Sequence, residues 1–542
     1  MSSLFLDNSI TREFPSWSIE RKIAQLIFPR LNLSEWERDK QLYIDLVKMG
    51  VGGFCVFKAD IHKMRSVVQE LNQYSDIPLL YSCDMEFGLP MRFADGTAFP
   101  RAFAIGQSEN PGNAYISGKV TALEAKSCGI FWNLSPVADI NSNPDNPIIN
   151  IRSFSDNPVE VSAFITAQIT AIQEERVIAC AKHFPGHGDT DKDSHIEVPV
   201  LSKSLEMLTA NELVPFFVAI KQGVRSIMVG HLAVPALDDS NLPASLSRKI
   251  TTDFLRNKLG YSGIIVTDAL DMKSVEDKYP NGEATYLALQ AGADALLIPE
   301  DAKVAFEYIN NRISDINIEN ILDSFDRIIE NKRRCGLMDG ILNNLPTNIS
   351  FEEHQDIAIR MATNCIQIFG EDDSIPLDED DSYMLIGVLL DDRNLDNAFK
   401  FSQMLQSKTI NDCDTIFVNN SITDADMKII EEANQSNNTL IIAVFQSPSS
   451  YSTKSKIATI LLDKLNELSK FKKTILANFA PSNACDGINF DLKLDAMSDD
   501  TNSMLAVANY ISGNDETINY VSDIDVAKYH QSELEKAEEQ GE

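Results

Sequence analysis

The densest polar segment of the chain is residues 182–195, KHFPGHGDTDKDSH, which gathers three of the seven histidines within fourteen positions. Asp193 and His195 stand two apart, a spacing that lets the carboxylate accept a hydrogen bond from the imidazole, fix its tautomer and raise its pKa. A histidine held this way can give and then take a proton near neutral pH. Pro185, Gly186 and Gly188 demand a loop rather than a helix or strand here. The second candidate is Asp268, where the apolar run GIIVTDAL ends in Thr267 and Asp268. A carboxylate at such a position can attack a carbon centre and form a covalent ester; capping the helix that follows is its structural alternative. His and Asp are also good zinc ligands, but no HExxH-type helical spacing accompanies them and no metal is expected. His187 and Asp189 read as hydrogen-bonding partners within the loop.

Eight short apolar runs between residues 20 and 340 must position these groups: AQLIFPR, VGGFCVF, PLLYSCD, GIFWNLSPVADI, VIACAKHF, SIMVGHLAV, GIIVTDAL and ADALLIP. Amphipathic stretches alternate with them, among them 60–74, 114–127, 160–173, 205–222 and 284–290, with apolar residues near three- and four-residue spacing. Eight βα units predict a (β/α)8 TIM barrel, with an open doubly wound sheet as the alternative. A barrel's active site is built at the C-terminal ends of its strands. Those positions carry Asp84, Asp139, His183, His231 and Asp268, ionisable groups that an ordinary core avoids; the alternative for each, Asp139 in particular, is a hydrogen-bonded structural residue. Beyond residue 340 a helix-like segment, 351–363, leads into 371–381, which holds seven carboxylates and no base, a solvated loop. The runs YMLIGVLLDD, DTIFVNN, TLIIAVFQS and KTILANFA then predict a smaller α/β sandwich domain with a parallel sheet. The expected division is a barrel over 1–345, a linker with the acidic loop over 346–382 and the second domain over 383–542, ending in a polar tail, QSELEKAEEQGE.

The 542 residues carry 47 Lys and Arg against 80 Asp and Glu, a formal net charge of −33, with 44% hydrophobic residues. The chain is too apolar to be disordered and too long for one ordinary domain. An acidic surface repels phosphate backbones and anionic lipid, so neither nucleic acid nor membrane is an expected partner. No basic, then apolar, start reads as a secretory signal and no apolar run reaches the roughly 18 residues of a span. The eight cysteines are scattered without CxxC pairs, as free buried thiols of a reducing compartment would be. The expectation is a cytoplasmic protein, a monomer or homodimer, with no cofactor.

KHFPGHGDTDKDSH and VTDALDM, together with NIRSFSDNP and CDMEFGLPMRF, closely resemble glycoside hydrolase family 3, in particular its β-N-acetylglucosaminidase branch. The resemblance covers residues 20–340; for the remainder it rests on the family's habit of adding an α/β sandwich after the barrel. It implies that Asp268 is the nucleophile and His195 the general acid/base, with Asp193 as its partner. It further implies that Asp84, Arg92, Arg152, Lys182 and His183 bind the sugar hydroxyls and that His231 lines the same pocket. One segment departs from the family pattern. Phe87 replaces a glycine and Leu89 an arginine, which leaves Asp84 and Arg92 in register but changes the loop between them.

The implied reaction is retaining hydrolysis of terminal β-linked N-acetylglucosamine, drawn from peptidoglycan fragments in cell-wall recycling or from chitooligosaccharides. Because an imidazole acid repels an anionic acceptor less than a carboxylate does, a glycoside phosphorylase of the same family is an alternative. A β-glucosidase of the family is another, disfavoured because that branch lacks the GDTxxDSH loop. A catalytically dead sugar-binding protein is the alternative of a different class.

Overall fold

A parallel strand buried on both faces reads as an unbroken apolar run, because helices cover both sides of the sheet. In the computed structural model all eight such runs in the first part of the chain form strands. The structure describes residues 14–144, 146–190, 197–370, 375–377, 382–409, 413–447, 456–470 and 472–513. The strands are β1 (Ile27–Phe28), β2 (Arg30–Asn32), β3 (Gly53–Phe57), β4 (Leu80–Cys83), β5 (Ile130–Asn133), β6 (Ile178–Phe184), β7 (Ser226–Val229), β8 (Ile264–Thr267) and β9 (Leu296–Leu297). From β2 to β8 each pairs in parallel with the next. β9 pairs with β1, and Ala295, just before it, bridges Val266 of β8, so the circuit closes. β1 and β2 are one strand interrupted at Pro29, which lacks an N–H to donate; its carbonyl still accepts from Cys55 (2.9 Å). The result is the expected (β/α)8 barrel.

The helices follow the amphipathic stretches, with ends set by local chemistry. Asp60 caps Ile61–Asn72 by accepting the Lys63 N–H (2.8 Å). Asn317 caps Ile318–Arg334, whose last turn carries Lys332, Arg333 and Arg334 against the negative end of the helix dipole. The 205–222 stretch is not one helix but two, Leu205–Ala210 and Val214–Gln222. Pro215 sits in the first turn of the second, where a missing N–H costs nothing, and would have broken a continuous helix.

By its contacts the chain forms two compact units. One comprises Met1–Gly96, Gly118–Asn143 and Asn157–Ile349; the other Thr97–Ser117, Pro144–Asp156 and Ser350–Glu542. The second unit therefore takes in two stretches from within the barrel sequence. Part of the expected linker also has regular structure there: the helix Phe351–Cys365 and β10 (Gln367–Gly370). Apart from 375–377, the acidic stretch lies outside the described residues, as does the C-terminal tail. The remaining strands are β11 (Tyr383–Leu389), β12 (Cys413–Asn419), β13 (Thr439–Phe445), β14 (Lys473–Phe479) and β15 (Leu492–Asp495). They form one sheet in the order β10-β15-β14-β13-β11-β12, parallel except for β10. Phe401, Met504 and Val507 from two helices pack on one face, and Ile430, Leu461 and Leu465 from two others on the opposite face. This is an α/β sandwich.

Barrel closure depends on a buried carboxylate. Asp294, fully enclosed just before β9, accepts from Arg256 (2.5 Å), Arg327 (2.8 Å), the Ser324 hydroxyl (2.7 Å) and the Ile265 N–H of β8 (2.8 Å). Burial works to raise its pKa, but Arg256 and Arg327 outweigh it and hold the carboxyl below its usual range. A depressed folded-state value means that its stabilisation is complete above about pH 4 and is lost only as pH falls below that. Asp294→Ala strands two arginine contacts and is expected to lower barrel stability by about 3–5 kcal/mol at neutral pH, measured by denaturant unfolding.

Candidate active site

Parallel strands bring their C-terminal ends to one rim, and Asp84, Asp139, His183, His231 and Asp268 follow or end those strands. Asp84 follows β4 directly and shares its carboxylate between two cations: Lys182 Nζ donates to Oδ1 (2.8 Å) and Arg92 Nη2 to Oδ2 (2.7 Å). Lys182 also pairs with Glu86 (2.7 Å), a residue that the sequence reading did not single out. Glu86 stands two positions after Asp84, beyond the end of β4, and nothing in its spacing announced the contact with Lys182. Two carboxylates and two cations form a locally neutral cluster in a strongly acidic protein. Burial alone would raise the Asp84 pKa, yet Lys182 and Arg92 prevail and keep its carboxyl well below the ordinary range.

Lys182 and His183 occupy the end of β6, where the register against β7 shifts between Ala181 and Phe184. Such an irregularity re-aims side chains. Asp139, in the loop after β5, anchors this corner: both oxygens accept the His183 N–H (3.1 Å each), Oδ2 lies 2.7 Å from His183 Nδ1, and Oδ1 accepts the His187 N–H (2.7 Å). A carboxylate can only accept, so Nδ1 carries the proton. The loop then passes close over the protein. A Cβ on Gly188 would stand 1.6 Å from the Ile140 carbonyl oxygen, which only glycine permits, and Gly186 has φ +127° beside Glu212. Asp189 is held by Lys203 (2.9 Å), which also pairs with buried Glu212 (2.5 Å). Nothing in the spacing of these three residues announced the contact.

His187 is buried, its Nδ1 2.8 Å from Thr190 Oγ1. Burial drives its pKa down to about 4 against the pull of Asp139 and Asp268. His231 lies beyond β7, fully enclosed, with one ring nitrogen against Ser245 and the other against the Ala269 carbonyl. Asp268 follows β8, its own N–H donating to Val229 (3.0 Å) and its Oδ1 accepting the Ala269 N–H (2.8 Å). Arg152 belongs to the second unit, where Nη1 donates to the Ile148 carbonyl (3.0 Å). Asp193 and His195 lie outside the described residues.

The profile described as "Glycosyl hydrolase family 3 N terminal domain" matches residues 18–330. The chain belongs to glycosyl hydrolase family 3. It is 31% identical over 397 residues to the beta-hexosaminidase A of Pseudoalteromonas piscicida, an alignment that covers 67% of this chain and 66% of that protein, just under two thirds of the relative's length. Among solved structures, a glycoside hydrolase family 3 beta-N-acetylglucosaminidase from Paenibacillus sp. str. FPU-7 superposes with a TM-score of 0.81 at 26% identity, over 92% of this chain and 97% of its own. A beta-glucoside phosphorylase shares the fold at 20% identity, with a TM-score of 0.82 and 94% of each chain covered.

The eight cysteines are free, seven of them buried. No helix among the described residues is long and apolar enough to cross a membrane.

The depressed value for His187 has a definite sign. Between about pH 6.5 and 4 the unfolded chain binds a proton at this residue that the folded chain refuses, so stability falls as pH drops through that window and levels off below it. The loss amounts to roughly 3 kcal/mol. In His187→Asn, thermal melts between pH 7 and 4 are expected to show a correspondingly shallower acid decline than the parent protein.

Proposed function

We propose that the protein is a retaining exo-β-N-acetylglucosaminidase that acts on β-linked sugars through a covalent glycosyl-aspartate. The observation that carries this reading is the Asp84 carboxylate shared between Lys182 and Arg92, on the rim where β8 presents Asp268. A cluster without excess charge, rich in oriented donors and acceptors, suits a neutral polyol. Asp84, Arg92, Lys182 and His183 hold the sugar. Asp268 attacks the anomeric carbon as His195, partnered by Asp193, protonates the departing oxygen; His195 then deprotonates the water that releases the sugar. Two inversions restore the β configuration. The assignment to His195 and Asp193 rests on their spacing and on the family resemblance. The printed names of the beta-hexosaminidase and beta-N-acetylglucosaminidase relatives support N-acetylglucosamine as the sugar. Peptidoglycan fragments of a cytoplasmic recycling route are the proposed source, with chitooligosaccharides as the competitor.

Removing an acid hurts most where the leaving group needs it. His195→Ala is expected to lose about 10²–10⁴ in rate on a disaccharide and much less on the nitrophenyl glycoside; equal losses on both would refute the acid role. Product analysis with and without inorganic phosphate tests the acceptor. Free N-acetylglucosamine in both cases supports hydrolysis, and a sugar 1-phosphate refutes it. Steady-state kinetics on chitobiose against a muropeptide separate the two sources, with a higher kcat/KM on the muropeptide expected.

A further inference from the structure

His231 stands two residues beyond β7 with no exposed surface. Its Nε2 lies 2.9 Å from the Ala269 carbonyl oxygen and its Nδ1 2.7 Å from Ser245 Oγ. A carbonyl oxygen only accepts, so Nε2 carries a proton and donates it; in the neutral ring Nδ1 then accepts from the Ser245 hydroxyl. Ser245 is itself fixed in the turn Ala244–Leu246, where Ala244 N–H donates to Leu232 (2.8 Å) and Ser245 N–H to Gly230 (3.3 Å). On the far side, the N–H of Ala269 donates to Asp268 Oδ1 (2.8 Å), and Leu270 N–H to Leu297 of β9 (3.0 Å). A chain of hydrogen bonds thus runs from the loop after β7 through an imidazole to the residue that grips the Asp268 carboxylate.

We propose that His231, backed by Ser245, is a positioning residue for the nucleophile: it fixes the backbone at Ala269, and through the Ala269 N–H it sets the rotation of the Asp268 carboxylate toward the anomeric carbon. The inference rests on Asp268 being the nucleophile, as proposed above. In that step a carboxylate oxygen bonds the anomeric carbon while the glycosidic C–O bond breaks and the leaving oxygen takes its proton from the general acid. Attack needs near-contact alignment of the reacting atoms, and a displacement of about 1 Å costs on the order of 10²-fold in rate. Without the imidazole, the Ala269 carbonyl loses its partner, its peptide is held only through the Leu270 N–H, and Ala269, whose own N–H contacts Asp268, can shift. Both ring nitrogens of His231 are engaged by protein atoms, which suits a support for the nucleophile better than a sugar contact.

The test measures formation of the covalent intermediate in the full chain, by trapping with a slowly released fluorinated N-acetylglucosaminide and peptide mass analysis. His231→Leu is expected to slow trapping about 100-fold while the affinity for N-acetylglucosamine stays within about twofold. His231→Gln, whose amide nitrogen can reach the Ala269 carbonyl, is expected to recover most of the rate, and Ser245→Ala to lose about tenfold. Trapping within about threefold of the parent in folded His231→Leu overturns the proposal, as does a loss confined to sugar affinity, which would make His231 a binding residue. If His231→Leu does not fold, His231→Gln and Ser245→Ala carry the same readout: slowed trapping in Ser245→Ala supports the proposal, and parent-like trapping in both overturns it. An adduct on a residue other than Asp268 overturns the nucleophile assignment itself. An adduct on Asp268 that forms at the parent rate in every variant overturns only the positioning role.

Discussion

The rim that carries the candidate site depends on the enclosed carboxylate of Asp139. An ionised group with no access to water is tolerable only when protein donors replace its hydration. Here the donors are the His183 N–H, the His183 ring and the His187 N–H, all drawn from the end of β6 and the loop that follows it. His183 and His187 chiefly keep the carboxyl ionised against the burial that would neutralise it. In return, Asp139 fixes the tautomer of His183 and the path by which the loop leaves the barrel, so one charge sets both a candidate sugar ligand and the base of the segment that carries Asp193 and His195.

Around this anchor the charges are arranged in compensated groups. Asp84 and Glu86 face Lys182 and Arg92, and Asp189 and Glu212 face Lys203. Each group is small, partly or wholly buried, and so weakly screened by salt. The formal charge of −33 describes the surface, where acidic side chains are hydrated. It says little about the site, whose chemistry needs local balance and fixed geometry. His187 shows the same constraint from the other side: with Asp139 already satisfied, burial keeps this imidazole neutral.

Much of the architecture was legible in the sequence because parallel strands and their covering helices leave strong apolar patterns. Each of the eight runs picked out by hydrophobicity contributes a barrel strand, although β2 extends beyond its run to Asn32. The patterns failed where another constraint prevailed. Pro29 divides the first strand and Pro215 marks a new helix within an apparently continuous one. β10 escaped notice because it is only four residues long and mostly exposed. The joining of Thr97–Ser117 and Pro144–Asp156 to the second unit left no local trace, since it is a matter of contacts between distant segments.

For the site, residue type and place at the strand ends singled out Asp84, Asp139, His183, His231 and Asp268, because strand ends in a barrel are the places where polar residues gather; Lys182 and Arg92 came from the family resemblance. Asp139 was visible among them, with a structural role left as its alternative. Glu86, Lys203, Glu212 and Ser245 became visible only when folding brought them against their partners. The sequence by itself determined which chemical groups are present and that a barrel presents them on one rim, since periodicity and local polarity are written residue by residue. Only the tertiary structure decided which carboxylate each cation neutralises, which nitrogen of each histidine holds the proton, and what supports the Asp268 carboxylate. Those choices are made by distances of about 3 Å between residues far apart in the chain, and no pattern along the chain encodes them.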